Sequence, residues 1–537
     1  MGSFNSAYDL YNPICALATA GFPIAISRMV SENMAKKRYN DVRRIHNVSV
    51  PLFFISGTLG FLLIVAGSFI HPKLINNTGV FFVDLALSPT VLFVCLISIY
   101  RGYYQGMKDM TPTAVSEVID KVCHLVVGLG LCYFIMDYGM NEYYQKGTVF
   151  SIPYQSESLA RSALLPISAA GAILGVTIGS IVSFLYLFIK YKREGSRITE
   201  EQLKNSPSAR SFKETFMSLV KIALPIGLGA FLMNTASFID GTLIQGRISH
   251  IMNTNPESLM EVYRGLISSE TVQRGTTHTF LYGIFGYSAP VIMLVNSVAE
   301  MFGVSALPSI TSAWVTGDRK KIKSSIETVL KMTMLFTIPA GFGLVALSGP
   351  LMNLLYSDTP SEAYIASKVL MIMGIAVIFS STTTPVCSML QAVGRADLPV
   401  KLLVIGMVIK ITLNYSLVGI PQINIQGAGV GTLVNYMFVL IAALYFLCKE
   451  TYIIPDFKSI FIKPLAAGLI SALSAYFSHK FLCQIFPCKI STLIAIGIAV
   501  LIYLISMILF RAITASDIKM LPKGEKFLKV LEKMKWI

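Results

Sequence analysis

Four residues in one apolar stretch carry the sharpest chemistry in this 537-residue sequence. Glu117, Asp120, Lys121 and His124 fall at i, i+3, i+4 and i+7, a spacing that sets all four on one face of a helix. His124 stands twelve residues past Pro112. At 1.5 Å per residue that is roughly 18 Å along the helix, near the middle of a bilayer core about 30 Å thick. A charge at that depth costs about 3 kcal/mol on insertion scales. The face must therefore meet water, a substrate or its own members. One reading is the polar wall of a cavity that meets an anionic headgroup. The other is a set of internal structural pairs, Glu117–Lys121 and Asp120–His124.

A weaker echo stands in the second half. Lys410 lies about eleven residues past Pro399, close to the position matching His124, and Asn414 follows one turn later on the same face. A cation at matching depth in both halves suits a phosphate-bearing substrate, because phosphate takes charge-assisted donors. The plainer alternative is a lysine that snorkels or finds a partner. Arg28 either reaches the cavity or anchors the cytoplasmic interface. Asp240 and Glu300 are single acids near span ends, candidates to bind a coupling cation (Na⁺ or H⁺) or to cap an interface. No Walker loop, GxSxG, HExxH or Asp-rich phosphotransferase signature is present. No CxxC or His/Cys metal spacing occurs either, although Cys483 and Cys488 flank an external turn and could pair. The chemistry expected is that of a transporter, not an enzyme.

Membrane spans must position these groups. The chain is 54% apolar and 14% charged, and a span needs about 20 mainly apolar residues because lipid cannot satisfy a bare backbone. Thirteen spans are expected, near 8–30, 49–70, 81–100, 112–136, 163–189, 215–245, 277–303, 324–348, 363–390, 398–418, 426–448, 460–479 and 490–510. The fold class is an all-α polytopic bundle. The net charge of +15 does not signal nucleic acid, because 30 of the 44 Lys and Arg lie in alternate loops. That pattern puts those loops and the C-terminus in the cytoplasm, and the basic, apolar-dotted tail 511–537 could lie on anionic lipid or stay solvated.

The chain also repeats itself. Gly21-Phe-Pro-Ile-Ala-Ile-Ser-Arg-Met-Val-Ser31 resembles Ala306-Leu-Pro-Ser-Ile-Thr-Ser-Ala-Trp-Val-Thr316, and Gln105 to Pro112 echoes Gln391 to Pro399. Same-order repetition predicts two parallel lobes with a substrate site between them. The expected division is a first lobe at 1–189, a cytoplasmic linker at 190–213, a second lobe at 214–449, two additional spans within 450–510 and the tail. Two spans precede Pro308 in its lobe and only one precedes Pro23, so the repeat predicts a helix ahead of the first residue, lost by truncation or by a start at an internal methionine. Gly171, Gly175 and Gly179 form a small-xxx-small stripe for close helix contact. Pro23, Pro225, Pro290 and Pro339 sit within spans and are expected to kink them.

Taken together, Arg101 to Asp120, Leu224-Pro225 with Phe238-Ile-Asp240, Leu307-Pro308, Lys410-Ile-Thr-Leu-Asn-Tyr415 and Gly427-Ala-Gly429 resemble the stage V sporulation protein B-type polysaccharide exporters. These belong to the multidrug/oligosaccharidyl-lipid/polysaccharide exporter superfamily, which includes lipid II flippases. The resemblance covers nearly the whole chain. It implies two six-helix lobes, two C-terminal helices that form a groove for a polyprenyl tail in lipid II flippases, and alternating access by rocking of the lobes. Its first helix, which carries cationic cavity residues in those flippases, has no counterpart here, and His124 stands where relatives tend to have Arg. The function implied is a flippase of the bacterial plasma membrane, moving a polyprenyl-diphosphate-linked saccharide such as lipid II, with membrane lipids and cell-wall synthesis enzymes as neighbours. Three alternatives are a cation-coupled multidrug exporter of the same fold, a wall-synthesis scaffold without transport, and a membrane saccharide enzyme.

Overall fold

Apolar runs become helices wherever the chain is long enough to satisfy its own backbone. The computed structural model describes residues 2–510 apart from Ala20, Lys108, Ser196, Arg197 and Ala396. The side chains at 35, 225, 226, 229, 233, 304–309, 312 and 315 also lie outside the described residues. The kink expected at Pro225, the side-chain matches at Pro308 and Ser312, and the tail 511–537 therefore fall outside them. Among the described residues, twelve helical segments are long and apolar enough to cross a membrane. The thirteenth expected span, 215–245, falls within a 43-residue helix, Phe212–Thr254, that includes such side chains.

The described chain divides into two compact units. The first takes in the residues up to Ser249 together with Ser268–Gly283; the second takes in His250–Ile267 and the residues from Ile284 on.

In the first unit, α1 (Gly2–Thr19), α2 (Phe22–Ala35), α3 (Tyr39–Leu74), α4 (Val80–Gly106), α5 (Thr111–Lys146) and α6 (Glu157–Glu194) form the bundle. Helix α4 is its centre and packs on α1, α2, α3 and α6. Tyr103, Tyr104, Phe53 and Ile26 are its largest fully buried side chains. The span expected at 8–30 is two helices. Gly21 takes φ 68°, a left-handed conformation open to glycine, and Pro23 opens α2. Pro23 therefore starts a helix rather than kinking one. A short antiparallel hairpin, β1 (Thr148–Val149) and β2 (Ile152–Pro153), joins α5 to α6. Its turn residues Phe150 and Ser151 have positive φ, and Glu142 accepts from both of their amides at 3.0 and 3.1 Å.

The linker carries α7 (Glu200–Lys204), closed by a Thr199/Gln202 capping box. Asn40 donates to the carbonyls of Leu203, Ser206 and Pro207, fastening the linker to the start of α3. Helix α8 (Phe212–Thr254) follows. Its residues up to Ser249 belong to the first unit, where Gln245 bonds Ser6 and Asn76 donates to Ser249. The repeat had assigned 214–249 to the second lobe.

In the second unit, α9 (Pro256–Val262) lies in the loop before α10 (Ser269–Gln273) and α11 (Thr277–Phe285), which belong largely to the first. A 3-10 turn, Gly286–Ser288, precedes α12 (Ala289–Thr316), and Pro290 stands in the first turn of that helix. It too is a helix opener, whereas Pro339 lies inside α13 (Arg319–Ala346). Helices α14 (Ser348–Leu355), α15 (Pro360–Ala392), α16 (Asp397–Val418) and α17 (Ile425–Thr451) follow. Helix α15 packs on α12, α13 and α17. The last two, α18 (Lys463–Leu482) and α19 (Cys488–Leu509), form a hairpin against α13, where Tyr503 donates to the Leu335 carbonyl at 2.9 Å. Cys483 and Cys488 are free thiols. Desolvation and the Cys488 contact hold the Cys483 thiol above its ordinary pKa.

Candidate functional site

The cationic face of α5 opens because α6 packs against only one side of it. The stripe Gly171, Gly175 and Gly179 makes that packing possible. A Cβ on Gly175 would stand 2.5 Å from the Gly128 backbone, and one on Gly179 would stand 2.7 Å from the Asp120 carbonyl. Only Pro112, Thr113, Ser116, Gly128 and Gly139 of α5 are buried. The rest of the helix is left to its surroundings.

The four charged residues separate once neighbours are present. Glu117 turns toward α4, where Arg101 lies 3.7 Å away and also donates to Ser116 at 2.9 Å. Asp120 turns toward α6, accepts from Ser180 at 3.4 Å and pairs with Lys121 at 3.3 Å. The expected pairs Glu117–Lys121 and Asp120–His124 are thus not the ones formed. The Lys121 side chain is 75% exposed against 18% for Asp120. Lys121 and His124 line a groove of about 600 Å³ whose other walls come from Phe4 of α1, Leu129 of α5, and Leu165 and Ser168 of α6. Ser168 bonds Cys132 at 2.9 Å, which closes one polar pair within that wall. The groove is mostly apolar, and Lys121 and His124 are its nitrogen-bearing side chains. Chemically it can hold a compact anion attached to a hydrophobic body.

The other candidates go elsewhere. Arg28 is exposed on α2, one turn before Glu32, and is not among the groove's lining residues. Lys410 is half-buried on α16, and Asn414 is fully buried one turn later. A Cβ on Gly431 would fall 2.0 Å from the Asn414 side-chain oxygen and 3.3 Å from the Lys410 carbonyl. Asn414 therefore sits in the seam where α17 crosses α16, a place set by helix packing. Glu300 is exposed on α12. Asp240 is 5% exposed on α8, within electrostatic reach of Tyr282. Tyr282 donates to Asp9 at 2.6 Å. Among the described residues, no group of three or more His, Cys, Asp or Glu could hold a metal ion.

Sequence reasoning missed three parts of this arrangement. Arg101 stands just past the expected span 81–100, outside the helix that carries the charged face, yet it is the partner of that face. Phe4 and Tyr8 on α1 pack with ring centroids 5.1 Å apart and planes tilted by 43°, and Tyr8 lies within reach of the Asp120 charge; their four-residue spacing was the available signal. A buried His71–Asp84 pair at 2.8 Å bridges the α3–α4 hairpin, and its thirteen-residue separation leaves no helical pattern.

Comparison with known proteins adds the family context. The family model described as lipid II flippase MurJ matches residues 52–495. The lipid II flippase MurJ of Bacillus subtilis (strain 168) is 25% identical over 450 residues, covering 82% of this chain and 74% of the relative. Stage V sporulation protein B of the same organism is 23% identical over 534 residues, covering 96% and 90%. Among solved structures, a lipid II flippase MurJ in an inward closed conformation covers 95% of this chain and 98% of its own, with a TM-score of 0.56 at 16% identity.

Proposed function

We propose a translocation mechanism from one premise: the chain belongs to the lipid II flippase MurJ family. It is a multi-pass plasma-membrane flippase for lipid-linked saccharides. The substrate we infer is a polyprenyl-diphosphate-linked wall precursor of the lipid II kind. The observation that carries the assignment of residues is the α5–α6 groove, with Lys121 and His124 as the nitrogen-bearing side chains of a mostly apolar trough. The Lys121 ammonium offers three donors and a full charge to the diphosphate, and His124 adds a ring nitrogen. Phe4, Leu129 and Leu165 offer no competing acceptor and accommodate the first apolar units of the lipid. The remaining tail stays in the bilayer, so only the headgroup needs a polar path. Lys410 in the second unit is the matching cation of the reading.

Alternating access between the two repeats then carries the headgroup outward. Membrane potential or an ion gradient supplies the drive. Asp240, buried beside Tyr282 and Asp9, suits a coupling cation better than the exposed Glu300. The basic loops and the C-terminus face the cytoplasm in this scheme, where wall-synthesis enzymes deliver the substrate. A multidrug exporter of the same fold would favour an acidic or aromatic trough, and the two nitrogens of the groove oppose it. A membrane saccharide enzyme would need a folded external domain or an open His/Asp centre, and the His71 and Asp84 side chains are 2% and 0% exposed. Between the end of α8 at Thr254 and the start of α11 at Thr277 the structure has only the short helices α9 and α10 with their connecting turns.

A scaffold without transport is separated by charge. In cells depleted of their own lipid II flippases, the chain is expected to restore growth, and its Lys410→Gln variant to restore it at least several-fold less well at equal protein level. A scaffold would be indifferent to that charge. Full rescue by Lys410→Gln would remove Lys410 from the transport path.

A further inference from the structure

A second basic cavity lies in the second unit and shares no lining residue with the α5–α6 groove. It has a volume of about 370 Å³ and opens at the basic-loop end of α13. Lys320, Lys323, Ser324, Glu327, Thr328 and Lys331 all line it. They recur at i, i+3, i+4, i+7, i+8 and i+11, a single face of α13. The opposite wall is the segment after α17, through Asp456, Ser459 and Ile460. The α13 face starts at, and the second wall lies in, segments that the charge pattern assigns to the same side of the membrane.

The two acids in the cavity are already engaged. Glu327 pairs with Lys323 at 3.8 Å and accepts the Asp456 amide at 3.2 Å. Asp456 accepts the Ser459 amide at 3.3 Å, capping the turn that leads into α18. The remaining lining is rich in cations and hydroxyls. Lys331 is 9% exposed and stands twelve residues into a membrane-crossing helix, roughly 18 Å from its start at Arg319. It adds a third ammonium to the lining, beside those of Lys320 and Lys323. The rim is also built for an interface. Phe457 and Phe461 stack at 5.5 Å, while Tyr452, Ile454 and Ile462 are exposed apolar side chains beside Lys458 and Lys463. Aromatic rings next to basic residues mark the headgroup level of a bilayer.

We propose that this cavity binds the phosphate-bearing headgroup of an anionic lipid. Lys320 and Lys323 meet the phosphate at the mouth, Lys331 draws it inward, and Ser324, Thr328 and Ser459 donate to its oxygens. The lipid chains run along the exposed apolar side chains of the rim. A soluble phosphate has the same headgroup chemistry without the apolar part. The site is independent of the groove on α5, so either assignment can fail without the other.

The test is thermal unfolding of the purified full chain in detergent, titrated with phosphatidylglycerol, with phosphatidylcholine, and with glycerol 3-phosphate as the headgroup alone. Phosphatidylglycerol is expected to raise Tm in a concentration-dependent way, as any ligand of the folded state does, and the other two are expected not to. The Lys320→Gln/Lys323→Gln pair and the single Lys331→Met variant should each bind phosphatidylglycerol at least about tenfold more weakly, the scale of a lost charge-assisted bond. The pair sits at the exposed helix end and serves where Lys331→Met fails to fold. An equal response of variant and parent overturns the site. An equal response to glycerol 3-phosphate and to phosphatidylglycerol overturns the lipid as occupant and leaves a soluble phosphate.

Discussion

Replacing Lys121 with Gln is expected to cut translocation by roughly 10- to 100-fold while leaving the amount of protein in the membrane unchanged. The magnitude follows from removing a charge-assisted contact to a diphosphate, worth about 1.5–3 kcal/mol. The unchanged level follows from its surroundings. The Lys121 side chain is 75% exposed, and it pairs with Asp120 at 3.3 Å. Exposed pairs of this kind contribute about 0–1 kcal/mol to folding. Lys121→Arg keeps the charge and should keep most of the activity. His124→Ala should have a smaller effect alone, and the double variant should fall short of the product of the singles, because both contact one ligand. Translocation measured in cells with protein level read by immunoblot separates these outcomes. A Lys121→Gln variant as active as Lys121→Arg would remove this residue from the substrate path.

The second large effect is structural. Gly175→Val is expected to deplete the protein from the membrane several-fold, because the added Cβ would stand 2.5 Å from the Cα and N of Gly128. Backbone atoms cannot yield as a flexible side chain can, so α5 and α6 must separate and the groove between them is lost. Overpacking of this type costs about 1–3 kcal/mol or more, and unfolded membrane protein is degraded. Gly130 supplies the control on the same helix. Nothing lies within 4 Å of its missing Cβ, so Gly130→Ala should be tolerated and gain slightly in helix propensity. Membrane yield and detergent Tm check both. Similar behaviour of the two variants would mean that α5 and α6 do not pack as closely as the structure shows.

These two predictions rest on features of unequal visibility in the sequence. The spans were legible because lipid forces every crossing segment into one long apolar run. The Gly171–Gly179 stripe was legible because close helix contact needs small residues at fixed spacing. The shared face of Glu117, Asp120, Lys121 and His124 was legible from helical periodicity alone. Its electrostatics were not, since the residues that take up the acids, Arg101 and Ser180, come from other helices. Helix breaks were misplaced for a similar reason. Pro23 and Pro290 read as kinks, but a left-handed Gly21 and a 3-10 turn before α12 make each a helix start. Asn414 looked like a cavity residue by analogy with the first half. Gly431 lets α17 approach so closely that this side chain is buried in the seam. A polar residue at mid-depth must be satisfied, and sequence alone does not say whether a substrate or a neighbouring helix does it.

Flippase action has a direct readout in the outward exposure of lipid II, measured with a membrane-impermeant probe in cells depleted of their native flippases. Expression of the chain should return exposed lipid II toward the undepleted level, and Lys121→Gln at equal protein level should not. Normal insertion with no rise in exposed lipid II, alongside export of a different wall precursor or of a drug, would contradict the assignment of lipid II as its substrate.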